Sequence, residues 1–126
     1  MRTNGGCDLQ AALMGSTASN GTGAYAAANY MGITANAAAA IATDTTLPGE
    51  VSTGTLARVQ ASYAHTLGTT SYTLTHTFTS DQSIILAKIG IFNASSGGTL
   101  VFETLLATTA TLVSGDQVLC QLTCNL

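Results

Sequence analysis

The chain has 126 residues, enough for one domain, and only 7% of them are charged, against about 25% in an ordinary soluble protein. With three basic residues and a net charge of −3, the sequence has no cationic stripe to neutralise phosphates, so we expect no nucleic-acid partner. No apolar run approaches the ~20 residues that span a bilayer, and no secretory leader follows the first residues. We therefore expect a protein made in the cytoplasm, with no membrane partner.

Threonine, serine, asparagine and alanine take the place of the missing charges. Hydroxyl and amide groups cost much less to desolvate than ions, so such a surface suits packing against other subunits. The alternative is a secreted or halotolerant monomer whose threonine-rich faces meet only water.

Residues 1–22 are rich in glycine, asparagine and serine, with one apolar cluster that includes Leu9, Leu13 and Met14. The spacing permits a short helix, but glycines bracket the cluster closely. We predict an extended N-terminal arm whose apolar patch lies on a neighbouring subunit, followed by a β-sandwich domain over residues 23–126. The alternative is a partly disordered terminus.

A strand is predicted over residues 24–34, where larger and smaller side chains alternate. The following loop contains Asp44, which can turn the chain through side-chain hydrogen bonds, and Leu47, which precedes a Pro48-Gly49 pair typical of a type II turn. Glu50 and Arg58 flank the next short turn. In so uncharged a chain, an acid and a base this close are expected to pair.

Four consecutive strands are predicted over residues 56–65, Ser71–Thr79, Ile84–Phe92 and 99–106. Ser71–Thr79 alternates apolar and threonine side chains, which is typical of a half-buried strand. Ile84–Phe92 is the most hydrophobic run and predicts a central strand, with Glu103 as the expected neighbour of Lys88. With a short edge segment and a closing strand over residues 117–126, the pattern predicts an antiparallel β-sandwich or small barrel of about seven strands.

The three cysteines leave one unpaired in any disulfide scheme. Cys120 and Cys124 lie four residues apart on one strand face, about 13 Å at ~3.3 Å per residue, which is too far for a disulfide. They are predicted to be small buried hydrophobes; a metal site is the alternative, but no histidine pair completes it. Cys7 could reach either one, so the redox state stays open.

No catalytic motif is found. Phosphate-binding loops, nucleophile elbows, zinc-protease motifs and paired carboxylates are all missing, so we expect neither an enzyme nor a cofactor. A carbohydrate-binding module is a weak alternative, since tryptophan is absent. His65 and His76 fall on adjacent predicted strands, where a pH-sensitive contact between them is conceivable.

Several stretches resemble a widespread group of small structural proteins of tailed bacteriophages. The likeness covers about residues 5–126, and its most specific parts are the sequences TDTTLPGE, with the LAR that follows, and KIGIFNASSGGTLVFE; NYMGIT and YAHT also contribute. The resemblance implies a β-sandwich subunit on an assembled particle. The short chain favours a capsid decoration or cement protein that binds and stabilises the major capsid protein shell.

Such a protein would be a virion component, with the major capsid protein and copies of itself, as a homotrimer on local threefold positions, as its partners. The expected contacts lie in the arm and in the loop after it, at Leu9, Leu13, Met14, Asp44, Leu47, Pro48, Glu50 and Arg58. The alternative is a neck or tail component, such as an adhesin that binds the host surface. Copy number per particle separates the two.

Overall fold

The computed structural model describes residues 1–15 and 26–125, with the side chains of residues 11–15 left out. One helix, seven strands and a short 3₁₀ turn (Gly54–Leu56) make up the described part. They are α1 (Asn4–Gly15), β1 (Tyr30–Thr34), β2 (Val59–Gln60), β3 (Ser62–His65), β4 (Ser71–Thr79), β5 (Ile84–Phe92), β6 (Leu100–Leu112) and β7 (Gln117–Asn125). Within these residues no helix is both long and apolar enough to cross a bilayer.

The strands form two antiparallel sheets. Sheet A has the order β2-β1-β5-β6, and sheet B has the order β3-β4-β7. The prediction of an antiparallel β-sandwich is confirmed, and the sheets do not close into a barrel. At one side of the sandwich, the chain passes directly from β2 in sheet A to β3 in sheet B, and it changes sheets at Ala61. On the other side, β6 and β7 follow each other in sequence but are not paired in either described sheet.

The core lies between the sheets and follows from the alternation in the strands. Met31 and Ile33 on β1, Leu74 and Phe78 on β4, and Ile91 on β5 are fully buried in one cluster. The other face of β4 carries threonines, as predicted. β5 is buried on both faces from Leu86 to Phe92, because the loop before β2 covers its outer face.

The strand bounds differ from prediction where pairing partners change. β4 and β5 begin and end as predicted, but the strand predicted over residues 56–65 is broken into a 3₁₀ turn, β2 and β3 because the chain changes sheets at Ala61. β6 is one continuous strand where two were predicted. β1 is shorter than predicted and begins at Tyr30, where pairing with β5 begins. The predicted residues 24 and 25 lie outside the described residues.

The first residues dock on the chain's own domain. Met1 and Thr3 run along the edge of β6, where Thr3 N–H donates to Val101 O at 3.0 Å and Glu103 N–H donates to Met1 O at 3.0 Å. Residues 4–15 are helical, not extended as predicted, and Leu9 is buried. The arm therefore begins on its own subunit, because edge pairing and apolar burial are both available there. The arm boundary at residue 22 falls among residues 16–25, outside the described part, and stays a prediction.

Candidate functional site

The outer face of sheet A, with the loop of residues 41–58 lying over it, holds most of the charge of the chain. We call it the charged face. It follows from the alternation on β1, where Gly32 and Thr34 point outward and away from the core residues Met31 and Ile33. Five of the nine charged residues gather here: Asp44, Glu50, Arg58, Lys88 and Glu103. The two sequence stretches that carry the phage resemblance meet on this face.

Leu47 anchors the loop to the sheet. Pro48 and Gly49 form the predicted turn, closed by Glu50 N–H donating to Leu47 O at 3.0 Å, with Gly49 at φ 72°. Leu47 is buried against Phe92 and Leu100. The absence of a side chain at position 90 leaves room for it, since a Cβ on Gly90 would lie 3.1 Å from a Leu47 methyl.

Arg58 joins the loop to the hairpin between β5 and β6. Its Nε donates to Glu50 Oε2 at 2.7 Å and its Nη2 donates to Glu50 Oε1 at 2.6 Å, so the predicted pair is confirmed and bidentate. Nη1 donates to the carbonyls of Ala94 at 3.1 Å and Gly97 at 2.8 Å. The guanidinium carbon lies 3.4 Å from the ring centroid of Phe92, a cation–π arrangement. The Arg58 side chain thus connects Glu50 in the loop, the hairpin between β5 and β6, and Phe92 on β5.

Lys88 and Glu103 form a second, deeper pair, which was also predicted. Lys88 Nζ lies 3.6 Å from Glu103 Oε2, and the two side chains are 1% and 0% exposed. Neither Glu103 oxygen receives a hydrogen bond from a donor. The carboxyl group of Asp44 lies against that of Glu103, so a proton on one of them turns this contact into a hydrogen bond.

Burial, followed by the contact with Asp44, raises the pKa of the Glu103 carboxyl. The same contact lowers the pKa of Asp44, helped by the backbone of Ile41. Both directions put the shared proton on Glu103, the more buried group. The sequence did not predict that Asp44 joins this pair, because no periodic pattern fixes where a loop residue lies.

The predicted interface residues differ in how exposed they are and in which contacts they make. Leu9 and Leu47 are buried within their own subunit, and Glu50 and Arg58 are engaged with each other. Pro48 is exposed on the turn. The side chains of Leu13 and Met14 lie outside the described part. Contact of these residues with a partner protein stays a prediction.

Sheet B presents the opposite kind of surface. Its three strands contain no Asp, Glu, Lys or Arg. Threonines line the outer side of β4, and β7 adds glutamine, threonine and Leu119, whose side chain is 63% exposed. We call this outer side of sheet B the uncharged face.

The cysteines and histidines are distributed over α1 and the three strands of sheet B. Cys120 and Cys124 are buried, as predicted, and the structure shows them as free thiols; burial raises the pKa of Cys120 to about 11. Cys7 is exposed and free. The register places His76 opposite Cys120 and His65 opposite Tyr72, so the two histidines do not face each other. No group of three or more His, Cys, Asp or Glu able to hold a metal occurs among the residues described.

A cleft of about 760 Å³ opens at one end of the sandwich, between α1, the segment before β1, and sheet B. Its walls are mostly apolar, with Leu9, Tyr63, Tyr72 and Phe102 among them, and burial raises the pKa of Tyr72. Its described lining contains no carboxylate, cysteine or histidine. The cleft therefore offers no acid–base pair.

Comparison with known proteins gives no match, either to a protein-family model or to a curated protein at a significant level.

Proposed function

We propose that this chain is a non-enzymatic structural protein of a bacteriophage virion, a capsid decoration protein that binds the shell and stabilises it as a homotrimer. The observation that carries the proposal is the separation of charge across the sandwich. On the charged face Arg58 pairs with Glu50 and Lys88 with Glu103 within the subunit, whereas the three strands of the uncharged face carry no Asp, Glu, Lys or Arg.

The uncharged face suits contact with other copies of the chain. Charged side chains normally keep a monomer soluble and are depleted at the centres of interfaces. Hydroxyl and amide groups such as those of Thr75 and Gln121 can be desolvated at modest cost and can form hydrogen bonds across an interface. Leu119 adds an exposed apolar side chain near the start of β7. We therefore assign subunit association to this face.

The loop of the charged face suits contact with a shell. Its backbone is fixed by Leu47 and Arg58, so an exposed turn around Pro48 is held with little conformational freedom to lose on binding. Many such weak contacts, repeated by symmetry, favour the assembled shell over loosened subunits by mass action.

Copy number in purified virions tests the proposal. Quantitative mass spectrometry of washed particles is expected to give on the order of hundreds of chains per particle, as a shell lattice requires. About a dozen copies or fewer would indicate the neck or tail position instead, because those structures have a single low-order axis. Absence from washed particles would overturn a virion role.

A pair of variants tests which face is used. Leu119→Glu places one charge on the uncharged face and should reduce incorporation into particles. Gln82→Glu adds the same charge in an exposed turn beside Asp81 and should leave incorporation unchanged. Equal incorporation of both variants would contradict the assignment of this face to assembly.

A further inference from the structure

Lys88 and Glu103 are an unusual ion pair. They project from the adjacent strands β5 and β6 onto the charged face, and both side chains are almost completely excluded from solvent. Burying two ions costs several kcal/mol per ion, which is offset only when geometry is close and the remaining donors and acceptors are satisfied. Here the nitrogen–oxygen distance is 3.6 Å, longer than a charge-assisted hydrogen bond.

The pair lacks the support that a buried ion pair needs. Both oxygens of Glu103 are buried without a donor. The groups that lie against Glu103 are the carboxyl of Asp44, an acid placed against another acid, and the backbone of Ile41. An amine and a carboxyl group that are both shielded from bulk water therefore meet a second, partly exposed carboxyl that can carry a proton.

We propose that Lys88 and Glu103 become joined by an intramolecular amide bond between Lys88 Nζ and Glu103 Cδ, with Asp44 transferring the proton. The proposal concerns a covalent modification and does not rest on the proposed virion function.

The reaction balances without an oxidant or a co-reactant. Asp44 carboxylate accepts a proton from the Lys88 ammonium, and the freed amine nitrogen attacks Cδ of the Glu103 carboxyl group, which carries the shared proton. The nitrogen then releases its second proton, Asp44 returns its proton to the departing hydroxyl, and the C–O bond breaks as one water molecule leaves. The ammonium and the carboxylic acid are thereby converted into a neutral amide, one water molecule and one proton released to solvent.

The fold favours this bond in two ways. Two reacting groups held on paired strands react as if at very high concentration, with effective molarities of about 10⁵–10⁸ M in well-oriented cases. Replacing the buried ammonium of Lys88 by a neutral amide also removes its desolvation cost, and the burial of both side chains slows hydrolysis of the product.

Intact mass spectrometry of the denatured full chain tests the proposal. The expected mass is about 18 Da below that of the sequence, the mass of the one water molecule released by an intramolecular condensation. Trypsin locates the change, because the chain has only three basic residues, Arg2, Arg58 and Lys88. A modified Lys88 resists cleavage, so residues 59–126 should remain as one peptide that lacks one water.

Three variants separate the chemistry from the fold. Lys88→Arg cannot form the amide and should have the full mass of its own sequence. Asp44→Asn keeps Lys88 and Glu103 but loses the proton carrier, so most chains should remain unmodified. Glu50→Gln removes a carboxyl of the other pair on the same face and should retain the loss of water. A wild-type chain of full mass after prolonged incubation would overturn the proposal, as would a water loss with normal tryptic cleavage after Lys88.

Discussion

Arg58 donates two hydrogen bonds, of 2.7 and 2.6 Å, to the carboxylate of Glu50, and its Nη1 donates to the hairpin carbonyls of Ala94 and Gly97. The pair is largely buried, with side chains 10% and 19% exposed. Because the planar guanidinium satisfies all these partners at once, it fixes the position of the loop relative to the sheet. This relationship makes the exposed Pro48 turn a rigid feature.

Replacing Arg58 by lysine should therefore destabilise the fold. Arg58→Lys keeps the charge but loses the bidentate geometry, the carbonyl contacts and the stacking on Phe92, at an expected cost of about 2 kcal/mol. Urea denaturation measures it, with the exposed Arg2→Lys as control. A loss for Arg58→Lys no greater than that of the control would contradict this role.

Leu47 should contribute as a core residue although it lies in a loop. Leu47→Ala removes a side chain that is 4% exposed, and we expect a loss of about 2–3 kcal/mol in the free energy of unfolding. Ile41→Ala, in the same loop but 53% exposed, should change stability by less than about 0.5 kcal/mol. A loss for Leu47→Ala as small as that for Ile41→Ala would show that Leu47 does not pack on sheet A.

Gly6→Ala should destabilise the protein, although alanine is normally favoured over glycine in a helix. Gly→Ala inside a helix normally stabilises by about 1 kcal/mol. A Cβ at Gly6 would instead collide with the backbone carbonyl of Val101, which cannot move without disturbing β6. We expect Gly6→Ala to lower the thermal midpoint and to increase proteolysis of the N-terminus. Gly5→Ala, where the new atom comes too close only to a side-chain methyl of Thr99, should lower it less.

Stability should fall at alkaline pH. Burial raises the pKa of Cys120 from 9.0 to about 11, so the folded state favours the neutral thiol. Its contribution, at most about 3 kcal/mol for this change in pKa, is complete below pH 9 and is lost as pH rises towards 11. Unfolding free energies between these limits should decline less for Cys120→Val than for wild type. Cys7→Val changes an exposed thiol and should leave the decline intact; an unchanged slope in Cys120→Val would refute the assignment.

The sequence predicts the strands well and their neighbours less well. The alternation in Ser71–Thr79 and the apolar run Ile84–Phe92 fix both strand bounds, because burial on one or both faces acts residue by residue. Which sheet a strand joins depends on partners that are distant in sequence. The residues around Ala61 therefore do not indicate that the chain changes sheets there.

The two ion pairs of the candidate site were predictable because few other charges compete. Glu50 and Arg58 are close in sequence, and the hairpin between β5 and β6 brings Lys88 near Glu103. The placement of Asp44 depends on how the whole loop folds over sheet A. Likewise, edge pairing with β6 and burial of Leu9 decide where the N-terminal residues lie, and neither interaction is visible in local composition.

The molar mass of the full chain in solution tests most directly whether the uncharged face is covered by other copies. Light scattering on the purified protein is expected to give three times the 12.7 kDa of a single chain. A stable, fully soluble species of 12.7 kDa across the accessible concentration range would contradict it.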